Sequence, residues 1–115
     1  MPGLGWTIER APRIRTVTIA SGGVNSTSFE PGRFAKGVFQ LPSAITGTEF
    51  TVEYSIDGTT FTQVPVNAVE SNPITSAAAS RTYRLPKATF AARYARIVAT
   101  TAQGAARTIT VIMST

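Results

Sequence analysis

The chain contains no cysteine and no histidine. Their absence excludes disulfides, thiol nucleophiles, thiolate and imidazole metal ligands and the imidazole general base, which is most of the usual equipment of an enzyme. Charge is sparse too, at 15% of residues against 43% apolar. That balance is too apolar for a disordered chain and low in charge for a free-standing monomer, whereas contact surfaces are depleted in charge. No run approaches the roughly 18 apolar residues of a membrane-spanning helix, and the segment Met1 to Trp6 has neither the basic nor the apolar stretch of an export signal. A protein made and kept in the cytoplasm of its producer, or released by a route such as lysis, is expected, with no membrane partner.

The acidic residues are Glu9, Glu30, Glu49, Glu53, Asp57 and Glu70, and no two form a familiar catalytic or calcium-binding pair. Glycine-rich phosphate loops, Ser/His/Asp sets and EF-hand-like runs are missing. The residues therefore predict no catalysis, no cofactor and no metal.

A length of 115 residues suits one domain with one core. The net charge of +5 is unevenly spread. Residues 1–29 carry Arg10, Arg13 and Arg15 against Glu9, residues 30–70 are net acidic, and residues 71–115 hold Arg81, Arg84, Lys87, Arg93, Arg96 and Arg107 with no acid. Such asymmetry suits an acidic partner, whether nucleic acid, an acidic protein lattice or the acidic segment of a second copy; a solvated basic face is the plain alternative.

Period-two patterning dominates. Phe50, Val52, Tyr54 and Ile56 alternate with Thr51, Glu53 and Ser55, which predicts a half-buried strand. Asp57-Gly58 then leads to the β-prone Thr59 to Val64, predicting a hairpin with a tight primed turn and Phe61 returning to the core. Arg13 to Ala20 reads as a strand with Ile14 on one parity and Val17 and Ile19 on the other, a shift that a bulge would accommodate. Lys36 to Leu41 and Thr82 to Leu85 each stop at Leu-Pro, since proline cannot donate to a ladder. The similar segments Phe39 to Ala44 and Tyr83 to Ala88 read as equivalent corners. Arg93 to Thr100 and Arg107 to Met113, around Thr101 to Gly104, predict a C-terminal hairpin. Ser76 to Ser80 is too short for a stable helix and reads as a loop or single turn. The expected fold is all-β: a single antiparallel β-sandwich, jelly-roll-like, over residues 13–115, with a short irregular N-terminal arm over 1–12; a closed barrel is the second choice.

Ser55 to Phe61 departs from the Asp-box of sialidase propellers in its Asp-Gly spacing and lacks the final Trp. Nucleic acid is disfavoured as partner because Phe50, Tyr54 and Phe61 fall on the apolar parity and not on a stacking surface. The expected partner contacts are Trp6 and Arg10 in the arm, Arg13 beside it, and Arg81, Arg84 and Lys87 in the basic third. Trp6 is either a plug over its own sandwich or an anchor in a neighbour.

Taken together, Phe39-x-Leu41-Pro42, Gly47-Thr48, the Phe50/Val52/Tyr54 strand, Asp57 to Phe61, Leu85-Pro86 through Phe90, Arg93-Tyr94-x-Arg96-Ile97 and Arg107 to Thr110 resemble small β-sandwich proteins encoded among the virion structural genes of tailed bacteriophages. The resemblance covers about residues 36–113 and implies a virion location after synthesis in the host cytoplasm. It further implies contact with the major capsid protein or with neck or tail proteins, in a capsid decoration (cement), neck-tail accessory or adsorption role. It carries over no catalytic or ligand residue. A homo-oligomer fits this reading. A carbohydrate-binding adsorption module is the rival, with Tyr83 and Phe90 as its few loop aromatics.

Overall fold

Alternation of apolar and polar residues is realised as seven strands among residues 12–115, which the computed structural model describes. They are β1 (Arg13–Ile19), β2 (Lys36–Gln40), β3 (Phe50–Ser55), β4 (Thr62–Gln63), β5 (Thr82–Arg84), β6 (Tyr94–Ala99) and β7 (Arg107–Ser114). One sheet has the order β1-β7-β2-β5 and the other β4-β3-β6, with every pair antiparallel. The residues that precede β2 extend the second sheet: Ser26 N donates to Ile97 O at 2.9 Å, Phe29 N to Ala95 O at 2.8 Å, and Ala99 N to Val24 O at 2.8 Å. With this 24–29 segment counted in chain order as the second of eight strands, the sheets read 1-8-3-6 and 2-7-4-5. That is the double Greek-key order of a jelly roll, in place of a closed barrel.

The inward parities meet in one core. Val17 and Ile19 of β1, Phe39 of β2, Phe50 and Val52 of β3, Ala95, Ile97 and Ala99 of β6, and Ile109, Val111 and Met113 of β7 are all buried. The two Leu-Pro corners are equivalent, as expected. Phe39 lies opposite Tyr83 with ring centroids 5.8 Å apart, and Leu41 N bonds to Arg81 O just as Leu85 N bonds to Gly37 O, each at 2.9 Å.

Several local expectations are corrected. The Phe50 and Thr62 strands do pair, but the ladder ends at Tyr54–Thr62 and the loop is wider than a two-residue primed turn. Asp57 organises it, its carboxylate accepting Thr59 N at 2.8 Å, Thr60 N at 2.9 Å and the Ser55 hydroxyl at 2.8 Å. Ser55 Oγ in turn accepts Gly58 N, and Gly58 has φ +79°, a left-handed conformation that glycine adopts freely. This pulls Ser55 inward and leaves Ile56 83% exposed, off the core face assigned to it. Phe61 does not join the core cluster; it is half-buried under the Arg96 guanidinium, 4.1 Å from its ring centroid.

Strands β6 and β7 lie in different sheets, so Thr101 to Ala106 is a crossing between sheets and not a hairpin turn. Strand β1 holds one continuous register with β7, without a bulge; Ile14 simply faces outward, 62% exposed. The irregularity lies in the 24–29 segment instead. Asn25 pairs with Val98 and Phe29 with Ala95, one residue out of step, and Ser26 Oγ accepts Ile97 N at 2.9 Å. Ser76 to Ser80 is a loop, as expected, while a 3₁₀ turn over Lys87–Ala91 links β5 to β6. Among the described residues no helix is long and apolar enough to cross a membrane.

Candidate functional site

Arg13 and Arg15 share the parity of Val17 and Ile19 and stand in register with the buried Met113 and Val111. They therefore occupy the inward side of the sheet, yet both are exposed. The cause is the path of the 24–29 segment. Thr27 N donates to Thr18 O at 3.0 Å and Thr27 Oγ1 accepts Thr18 N at 3.1 Å, but past Thr27 the segment continues along β6, where Phe29 pairs with Ala95, and no longer bonds to β1. Beyond that point the two sheets part, and a groove of about 900 Å³ opens at the mouth of the sandwich.

Arg13, Arg15, Arg33 and Arg93 line this groove, with Glu30 as its single acidic side chain and Phe34 among its apolar residues. Four guanidinium groups against one acidic side chain give the groove an excess of positive charge. Among the described residues the one ion pair is Arg96–Glu53, at 2.8 Å across β6 and β3, so none of the four groove arginines is paired there. Arg15 Nη1 donates to Ile14 O at 3.2 Å, and the Arg93 guanidinium stands 5.5 Å from the Tyr94 ring centroid. Planar forks converging on one cleft favour carboxylate or phosphate groups, which they grip through paired N–H bonds.

The remaining acids among the described residues are satisfied locally. Glu49 accepts the Thr100 hydroxyl at 2.9 Å, and Glu70 accepts Lys87 N at 2.6 Å and Asn67 N at 3.1 Å. Those two amide bonds, helped by the Lys87 charge, lower the pKa of Glu70.

Of the sequence-predicted contacts that lie among the described residues, only Arg13 belongs to this groove. Arg84 and Lys87 join Lys36 and Glu70 around a shallow apolar depression over Val38 and Ile112, on the outer face of the first sheet. Arg81 sits at the other end of β5, beside Leu41. The three cations do not form one clamp, because an extended chain spaces residues i and i+3 by about 10 Å. Trp6 and Arg10, with the arm to which they were assigned, lie outside the described residues, except that Pro12 is exposed. Arg15, Arg33 and Arg93 were missed as site residues. Their one sequence signal was that Arg13 and Arg15 continue the inward parity of Val17 and Ile19.

The loop aromatics considered for a sugar serve the interior: Tyr83 packs on Phe39 and its hydroxyl accepts Ala78 N at 2.8 Å, and Phe90 packs on the core. The chain matches no family model, no curated protein and no solved structure.

Proposed function

We propose that the chain is a non-enzymatic structural protein that attaches to an acidic protein surface through the groove beside β1. The resemblance of its strand and turn residues to small virion sandwiches supports a reading as a capsid decoration (cement) protein on the major capsid lattice of a tailed-phage particle. The observation that carries this reading is the convergence of Arg13, Arg15, Arg33 and Arg93 on one open cleft, without a paired carboxylate among the described residues. Charge of one sign in a concave site steers an oppositely charged partner and fixes its orientation. A decoration protein needs only modest affinity per contact, since many copies on one lattice act together. A polynucleotide partner is less well served, because Phe29 is buried and Phe34 packs against the core, so neither offers a face for stacking bases.

The test is to add purified protein to particles that lack it and to count bound copies by gel densitometry. A ratio near one per capsid subunit, or a fixed simple fraction of it, supports decoration. A few copies per particle move the same contact to the neck or tail, and no binding overturns the proposal.

A further inference from the structure

We infer that the groove takes its partner as an added β-strand: an extended acidic protein segment pairs antiparallel with the free edge of β1 at Ile14–Thr16, and places alternate carboxylates among Arg13, Arg15, Arg33 and Arg93. This deepens the reading of the groove as an acidic-partner site and rests on it.

The backbone directions follow from the ladder. Among the described residues β1 is the last strand of its sheet, and Thr18 turns its N–H and C=O away from β7 towards Thr27. Successive residues of a strand direct these groups to opposite sides, so Thr16 and Ile14 also present theirs outward. The 24–27 segment covers Thr18 and then departs, so among the described residues this edge is occupied at one end and open at the other, and the opening is the arginine-lined groove. The chain's own pairing there, Ile19 with Ser26, is antiparallel. An incoming strand continues that line of pairing along the same edge.

Alternation then sorts the side chains. A residue opposite Thr16 lies on the outer face, beside the row Ile14, Ile112, Val38 that crosses the sheet. Its neighbours at one residue either side share the parity of Arg13 and Arg15 and enter the groove. Acids at every second position thus meet the arginines while apolar residues cover Ile14. Arg15 Nη1, now on the Ile14 carbonyl, is released to a carboxylate when a strand amide takes its place. Glu49, Glu53, Asp57 and Glu70 of a second copy are poor sources of those carboxylates, because they are already engaged within it.

The experiment uses the full chain and a short peptide of alternating Glu and Val, read by fluorescence anisotropy or calorimetry. Methylation of the Val amides, which face Thr16 in antiparallel pairing, should weaken binding on the order of tenfold or more. Methylation of the Glu amides, which face solvent, should leave binding close to that of the parent peptide. Thr16→Pro removes the outward amide where an edge strand tolerates proline, and should weaken the parent peptide similarly while the melting transition shows a folded protein. Equal binding of the two methylated peptides overturns strand addition even if Arg15→Glu and Arg33→Glu abolish binding, an outcome that would leave the groove as an acidic-partner site of another geometry. Tighter binding of a single-stranded oligonucleotide than of the peptide overturns the choice of a protein segment. Unchanged peptide binding by the charge-reversed variants overturns the reading of the groove itself.

Discussion

Gln103 is the most heavily bonded buried side chain at the end of the sandwich away from the groove, and its removal should separate stability from binding. It is 1% exposed. Its Oε1 accepts Thr46 N at 2.8 Å, and its Nε2 donates to Thr46 O at 2.8 Å and Thr101 O at 2.9 Å, while its backbone joins Gly22 and Gly23. One residue thus ties three loops together. Thr101 also presses on Gly47, where a Cβ would come within 2.7 Å of Thr101 Oγ1 and the backbone sits at φ +79°. Three side-chain bonds to backbone groups at about 1 kcal/mol net each give a loss of about 3 kcal/mol for Gln103→Ala. A small domain has about 5–15 kcal/mol in total, so the melting temperature should fall by roughly 10–15 °C. Gln103→Met keeps the volume and removes the bonds. If hydrogen bonding is the cause, urea melts will place Met close to Ala. A Met variant as stable as the parent would refute the clasp and assign the effect to packing. Both variants, assayed below their melting temperatures, should retain the groove's affinity for acidic ligands.

Tyr54→Ala and Val52→Asp should each cost about 2–5 kcal/mol, because that parity faces the core; Glu53→Ala, which removes the ion pair to Arg96, should cost about 1 kcal/mol or less in the same urea melts. The bonds from Thr60, Thr59 and Ser55 lower the pKa of Asp57 from 3.8 to about 2. A depressed folded pKa means that the stabilisation is present above pH 3.8 and is lost as the pH falls towards about 2. Acid titration of the 55–61 loop, followed by amide exchange, should therefore show opening across that window in the parent and a flatter response in Asp57→Asn. Chelators should leave the melting temperature unchanged; a clear fall would expose a metal site.

The fold was legible wherever a strand alternates cleanly, as in Phe50 to Tyr54 and Arg107 to Met113. It was not legible where side chains take over the work of the backbone. Asp57 and Ser55 widen a turn that Asp-Gly alone would close tightly, and Ile56 leaves the core with it. The crossing after β6 has turn-like residues in both the expected and the observed structure; only the long-range bonds of Gln103 to Thr46 and Gly23 distinguish them, and local sequence does not encode those. The 24–29 segment has no clear alternation because Ser26 Oγ substitutes for a backbone carbonyl in its ladder. The groove was half visible: Arg13 and Arg15 carry charge on the inward parity of Val17 and Ile19, where a core-facing residue would be apolar. Arg33 and Arg93 reach the same cleft only through the tertiary path of the chain.

Binding of the parent and of an Arg13→Glu, Arg15→Glu, Arg33→Glu variant to particles lacking the protein, measured at low and high salt, tests the central claim most directly. The parent should bind and lose affinity as salt screens fields beyond about 8–10 Å, and the folded variant should fail to bind at either salt concentration. Full, salt-independent binding by the charge-reversed variant would contradict the assignment of the groove as the contact surface.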